Sequence, residues 1–529
     1  MILKYKYLIL TTITTLVITT SCFDDLNVVP LDDDVETSAL IYQNPEAYKQ
    51  VLAKIYAGLA VSGQEGPAGQ PDIFGIDEGF STYLRQYWKA QELTTDEAVI
   101  AWNDGNIHDY EEMDWDANNE FVTAMYNRIF FQIALINEFL RESTPEKLDD
   151  RGADAALKTE VATYQLEARF MRALSYWHAL DMFENPPFVT EDDGIGSFFP
   201  EQTNPNDLFN YIESELLAIE GEMVAAQQNE YGRADQGAAW MLLAKLYLNA
   251  ETYTGTAKNT EAVTYAKKVI DAGYFLEPNY AHLFMADNHN SNEIIFSINF
   301  DGVSTRTWGG MTFLIHAAIG GDMSAGDFGV DNGWGGYRMT KEFALKFDTS
   351  VTDMDSRKMF FTENQTLEID PVTNFQQGWA YTKYSNKTST GSNGSNITHP
   401  DTDFPMFRLA DAYLIYAEAV LRGGTGGDIA TAVDYINALR GRAYGSTMGD
   451  ITAGDLDLDF ILDERARELY IECHRRTDLI RFGKFTSGYN WSLKGDVIDG
   501  QDVGKKYKVF PIPASDIGAN PNLVQNNGY

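Results

Sequence analysis

Two tryptophans, Trp102 and Trp334, stand in runs of Asn, Asp and Gly that carry no helical period, Ala101-Trp-Asn-Asp-Gly105 and Asp331-Asn-Gly-Trp-Gly335. A flat ring on a polar loop presents an apolar face at little cost in side-chain entropy, and sugars offer matching C–H faces edged by hydroxyls. Rings so placed read as stacking platforms for a carbohydrate, with guanidinium and amide groups as donors to the hydroxyls. The commoner place for a tryptophan is the core, and Trp177 and Trp240, within apolar helical stretches, are expected there.

Other chemistries find less support. Asp77-Glu78 and Asp96-Glu97 have the residue types of a glycosidase acid and nucleophile, but a chain with 78 Asp+Glu produces such pairs everywhere. The 7 histidines fit neither an HExxH helix nor a Cys/His cluster, and no phosphate loop or GxSxG elbow occurs. No catalytic residue, cofactor or catalytic metal is expected. The run Asp287-Asn288 with Asn290-Ser-Asn-Glu293 has oxygen ligands in a loop, which suits a structural calcium ion.

These residues must be held by elements with a different grain. Apolar residues at helical spacing predict helices over 44–60, 119–142, 155–184, 207–226, 234–250, 260–272, 404–422, 428–442 and 456–474. Several form pairs of about 34 residues alternating small and large side chains, which predicts hairpins packed like tetratricopeptide repeats. Gly423–Gly427 and Gly441–Gly445 read as turns ending helices. Residues 63–118 and 293–405 lack helical period, hold only short strand-like runs such as Ile294–Phe300, and are where a site is expected. The prolines at 511, 513 and 521 predict an extended tail closing the body.

The chain has 529 residues with 40 Lys+Arg, a formal charge of −38, so nucleic acid is a poor partner. At the N-terminus, Lys4 and Lys6 precede an apolar, Thr-rich run that is short for a membrane span and stops at Ser21-Cys22. It resembles a lipoprotein signal, with residues 1–21 removed and Cys22 lipidated, and Asp24-Asp25 resembles the surface-export tag of Bacteroidota lipoproteins. Acyl chains on one cysteine would hold the chain to a membrane, about 0.8 kcal/mol per buried methylene. Cys473 is then the one thiol left, so no internal disulfide is expected. No linker divides the remainder, and 22–529 reads as a single domain.

Several segments resemble the SusD/RagB family along nearly the whole mature chain: Asn27-Val-Val-Pro30, Glu167-Ala-Arg-Phe-Met-Arg-Ala-Leu-Ser-Tyr-Trp177, Gly232-Arg-Ala-Asp-Gln-Gly-Ala-Ala-Trp240, Arg408–Ala419, Glu464-Arg-Ala-Arg-Glu-Leu-Tyr470, Arg475–Gly483 and the tail 507–529. The resemblance implies a mainly α fold, with four tetratricopeptide-like hairpins as scaffold and a loop-rich half that binds glycan. It also implies a partner, a SusC-like TonB-dependent transporter, and an outer-membrane lipoprotein at the cell surface. Arg85 with Glu92–Trp102, Asp301–Gly310 and Asn332-Gly-Trp334 resemble the segments with which a starch-binding member of the family cradles an α-glucan helix. Carried over by motif, the contacts here are Arg85, Trp102, Trp308 and Trp334. The family's tyrosine stands as Trp308, and a contacting asparagine falls on Gly105 or Asn106, of which Asn106 is the candidate.

Overall fold

Side-chain caps set where the helices begin. Asn119 accepts from the backbone N–H groups of Phe121 and Val122, both at 3.0 Å, and starts helix Glu120–Glu142. Asp154, Asn204, Asp235, Asp428 and Asp457 do the same for helices Ala155–Phe183, Pro205–Ile219, Gln236–Leu248, Ile429–Tyr444 and Leu458–Leu469. Each such cap contributes about 1 kcal/mol and, more usefully, fixes register.

The computed structural model describes residues 38–194, 196, 198–347 and 354–529. The expected signal at 1–21 and Cys22 lie outside these residues. Residues 48–529 pack as one compact unit, and helix Ser38–Ile41 belongs to a separate N-terminal one. Among the described residues no helix is long and apolar enough to cross a membrane.

The fold is mainly α. Helix Glu120–Glu142 lies along Ala155–Phe183, which packs on Pro205–Ile219. Gln236–Leu248 lies along Asn259–Ile270, which packs on Leu409–Leu421, and this last helix also carries Ile429–Tyr444 and Leu458–Leu469. The strands are short two-stranded pairs, Ile294–Ile298 with Phe404–Arg408 being the longest.

Four boundaries differ from the sequence reading. Helix 207–226 stops at Ile219. The predicted 404–422 helix opens as strand Phe404–Arg408, because its first five side chains are all buried against the partner strand, and turns helical only at Leu409. Gly441 lies inside helix Ile429–Tyr444, and only Gly445, at φ 61°, ends it. The predicted 456–474 helix breaks after Leu469, where Ile471 and Cys473 take φ of 50° and 67°. Their N–H groups are captured from far away, by Glu97 Oε2 at 2.7 Å and Glu92 Oε1 at 2.5 Å. The chain then resumes as helix Arg475–Arg481.

Region 63–118 also contains helix Tyr83–Trp88, running directly into a π-helical turn Lys89–Leu93. Every residue from 83 to 93 is buried, so this helix has no polar face and hence no amphipathic signature. The tail closes the body through Phe510 N–H to Met182 O at 2.7 Å and Asn526 Nδ2 to Phe183 O at 2.7 Å. It is not wholly extended, since Ala514–Ala519 forms a short helix after Pro513.

Behind the helices runs a buried ion-pair network. Glu464 binds Arg357, Arg440 and Arg467, each at 2.8 Å, and Glu468 binds Arg408 at 2.6 Å and Arg357 at 3.1 Å. Glu293 joins Arg408 at 2.9 Å to Arg442 at 2.7 Å.

Candidate functional site

Strand Val99–Ile100 pairs antiparallel with Tyr337–Arg338, and Ala101 N–H donates to Gly336 O at 2.9 Å, so the loop that leaves the first strand lies beside the loop that enters the second. Trp102 and Trp334 sit on these two loops. Their contact requires Gly336: a Cβ there would lie 2.7 Å from Trp102 Cζ2. Trp102 Nε1 then donates to Trp334 O at 3.0 Å, fixing one ring on the backbone that carries the other.

Trp334 rests on His316, ring centroids 4.8 Å apart and 24° from parallel. His316 is buried and bonded on both ring nitrogens, Nδ1 at 2.8 Å from Asn332 O and Nε2 at 2.9 Å from Thr398 O. Trp308 leans on His399, with centroids 4.9 Å apart. The three indoles form an arc with Trp334 in the middle. Trp102 is 6.3 Å from it and turned by 46°, and Trp308 is 6.4 Å from it and turned by 49°. All three rings are half-buried, which leaves an apolar face on each toward solvent.

Arg85 reaches the same concavity from the all-buried helix. Its Nη1 donates to Gly79 O at 2.8 Å and Trp308 O at 3.3 Å, and its guanidinium lies 4.4 Å from both the Phe80 and Phe313 ring centroids. It makes no ion pair, and its buried Nε has no acceptor among the described residues. Burial pulls the guanidinium below its ordinary value, and the charges of Asp104 and Asp77 oppose this. The concavity measures about 560 Å³ and adds Asp77, Gly79, Phe80, Asn103 and Asp104 to the three rings and Arg85. Three rings, with an arginine, two carboxylates and an amide in the same concavity, can stack a sugar face and bond its hydroxyls.

Four of the five sequence-derived glycan candidates thus converge, and Asn106 does not line the concavity. Its Oδ1 accepts from Glu120 N–H at 3.2 Å and its carbonyl from Asn119 Nδ2 at 3.1 Å, which makes it part of a helix start. Asn103, directly after Trp102, supplies the amide instead. Asp77, Asn103 and Asp104 were missed, although the last two stand in the polar run that marked Trp102.

Asp96 is buried and clamped by Arg475 at 2.6 and 2.8 Å and by Tyr489 at 2.7 Å, and Glu97 is 2% exposed, so no substrate reaches that pair. Burial raises Glu97 to about 7. Of the oxygens considered for calcium, those of Asp287, Asn288 and Glu293 are engaged within the protein, whereas Asn292 Oδ1 has no partner among the described residues. Asp287 accepts from Ser389 N–H and Oγ, Glu293 pairs with Arg408 and Arg442, and Asn288 is bonded to Asp403. Among the described residues no group of three or more His, Cys, Asp or Glu could hold a metal ion. Trp177 is core as expected, whereas Trp240 is half-buried beneath Lys268, whose Nζ lies 5.7 Å from its ring. A second cleft of about 310 Å³, between Lys49–Ala60 and the 230–233 turn, holds none of the candidates.

A profile of the SusD family matches residues 338–529. The chain is 35% identical to the starch-binding protein SusD of Bacteroides thetaiotaomicron, over 96% of each chain. It is 26% identical to the SusD-like protein P25 of Formosa agariphila, over 72% of this chain and 75% of that one. Among solved structures it is similar to a SusD homolog from Bacteroides thetaiotaomicron, TM-score 0.72 and 20% identity, covering 94% of this chain and all of that one. It is also similar to surface glycan-binding protein A of the same organism in complex with laminarihexaose, TM-score 0.70 and 21% identity, covering 91% and 99%. These two structural likenesses speak to the fold.

Proposed function

The chain belongs to the SusD family, and from that premise we propose that it captures α-glucan chains, starch or maltooligosaccharide, without cleaving them. In this reading it is a lipoprotein anchored through Cys22 at the outer-membrane surface that delivers its cargo to a SusC-like TonB-dependent transporter.

The observation that carries the reading is the arc. Three indoles turned successively by 46° and 49° follow a bent surface. A polymer that coils, as an α-glucan does, can lay consecutive sugar faces on such rings, whereas a flat ribbon can meet one or two. Arg85, held between Phe80 and Phe313, is already oriented for hydroxyls before a sugar arrives, so little entropy is lost on binding. The starch-binding relative at 35% identity supports the same cargo.

A second reading keeps the site and changes the cargo to another polysaccharide, or to peptides as in RagB-like members. It is favoured by the laminarihexaose complex of a structural neighbour and by the tryptophan at 308. Affinity electrophoresis in gels containing amylopectin, levan, xylan or laminarin, with Trp102→Ala alongside, separates the two. Retardation by amylopectin alone, lost in the variant, supports the α-glucan; retardation by another polymer only overturns it. Release of reducing ends on incubation with amylopectin would contradict the non-enzymatic reading.

A further inference from the structure

Most of the positive charge in this acidic chain is paired: Lys54 with Asp72, Lys147 with Glu142, Lys258 with Glu213 and Lys268 with Glu220 are examples. Lys505, Lys506 and Lys508 break that pattern. They fall within one 3-10 turn and form no ion pair among the described residues. All three line a cleft of about 480 Å³ on the closing tail, walled on its other side by Leu180, Tyr253 and Ile480.

The turn is held, not loose. Arg476 Nη2 donates to Lys508 O at 2.6 Å, and Tyr529 Oη donates to Val509 O at 2.9 Å. Lys506 Nζ lies 4.8 Å and 4.6 Å from the ring centroids of Tyr507 and Tyr529, which orients its stem. Two carboxylates, Asp181 and Glu184, border the cleft. Asp181 is already paired with Arg476 at 3.2 Å and bonded by Tyr253 Oη at 2.7 Å and Thr477 Oγ1 at 3.0 Å. Glu184 makes no ion pair among the described residues, which leaves one unpaired carboxylate against three lysines.

We propose that Lys505, Lys506 and Lys508 form a binding site for a phosphate group. Three lysines lining one cleft without an ion-pair partner among the described residues leave positive charge there for an anion to answer. Ammonium is a compact, strongly hydrated point charge that suits the charge density of phosphate, whereas a single carboxylate pairs best with the planar fork of arginine. The cleft's apolar wall leaves room for the group esterified to the phosphate. That group is either a soluble sugar or the body of a phospholipid, since the lysine chemistry is common to both.

Calorimetric titration of the purified chain with inorganic pyrophosphate tests the first source, and flotation with phosphatidylcholine vesicles, with and without phosphatidylglycerol, tests the second. At least one probe binds, its affinity falls as salt is raised, and Lys505→Ala/Lys508→Ala weakens it tenfold or more. Lys505→Glu, at an exposed position, gives the same loss, and both variants keep the unfolding midpoint and amylopectin retardation of the parent. Binding of pyrophosphate alone assigns a soluble ester, and binding of the anionic vesicles alone assigns a lipid headgroup. The proposal is overturned if neither probe binds, if binding is equal in the variants, or if only an acidic polysaccharide such as polygalacturonate binds. The arc residues take no part, so Trp102→Ala leaves the phosphate titration unchanged.

Discussion

Around Glu464 and Glu468 the arginines at 357, 408, 440, 442 and 467 are bonded to carboxylates, whereas at the ring arc Arg85 leans on Phe80 and Phe313 and makes no ion pair among the described residues. In the first region the guanidinium groups are answered by carboxylates. In the second, three rings keep open faces and the guanidinium has no carboxylate partner among the described residues. Several segments that resemble the family most closely, among them Glu464–Tyr470 and Arg475–Gly483, belong to the satisfied region. Family likeness therefore reports the scaffold more strongly than the cargo.

The sharpest way to break this contrast is Glu468→Ala, which takes from Arg357, Arg408 and Arg442 the one carboxylate they share and leaves them Glu464, Glu472 and Glu293. Loss of one partner from a buried pair costs about 3–5 kcal/mol, so urea unfolding shifts strongly, and amylopectin is no longer retained once the chain unfolds.

Acid should act on the same region. The surrounding arginines hold Glu464 well below the carboxylate range, and they hold Glu468 at about 2 against the opposing effect of burial. Unfolded glutamate titrates near 4.3. A folded value below the unfolded one adds stability above that pH and loses it as pH falls through it. Unfolding free energy measured by urea is thus expected to fall steadily from about pH 5 toward pH 2. The three indoles do not titrate, so their stacking faces persist while the chain remains folded.

At the arc the order of effects reverses. Trp334→Ala removes the central ring and should cost about 2 kcal/mol or more of glycan binding, as expected for an aromatic anchor, with less effect on unfolding than Glu468→Ala. Arg85→Lys keeps the charge but loses the planar fork held between two phenyl rings, and a loss of about 1–2 kcal/mol in calorimetric titration with maltoheptaose is expected. Trp308→Tyr is the mildest, below about 1 kcal/mol, and it shifts preference among linear and cyclic maltooligosaccharides because it trims one end of the arc.

How far the sequence revealed the molecule depends on the range of the interactions involved. Helices Glu120–Glu142, Ala155–Phe183 and Gln236–Leu248 were legible because the apolar spacing that marks them is local to each one. The break at 470–474 was not, since Glu92 and Glu97 impose it from more than 370 positions away. Helix Tyr83–Trp88 was hidden by its complete burial. Trp102 and Trp334 were readable from their polar surroundings, while Arg85 and Trp308 rested on family resemblance. Asn106 shows the limit of motif carry-over, because its oxygen caps a helix start 14 residues on.

The most direct test of the arc is calorimetric titration of the parent chain and Trp334→Ala with maltoheptaose and with its cyclic counterpart. The parent is predicted to bind both, the cyclic sugar at least as tightly because its curvature is preset, and Trp334→Ala to lose both while unfolding as a native protein does. Equal affinity in parent and variant, or no binding of either sugar by the parent, would contradict capture of a bent α-glucan on these three rings.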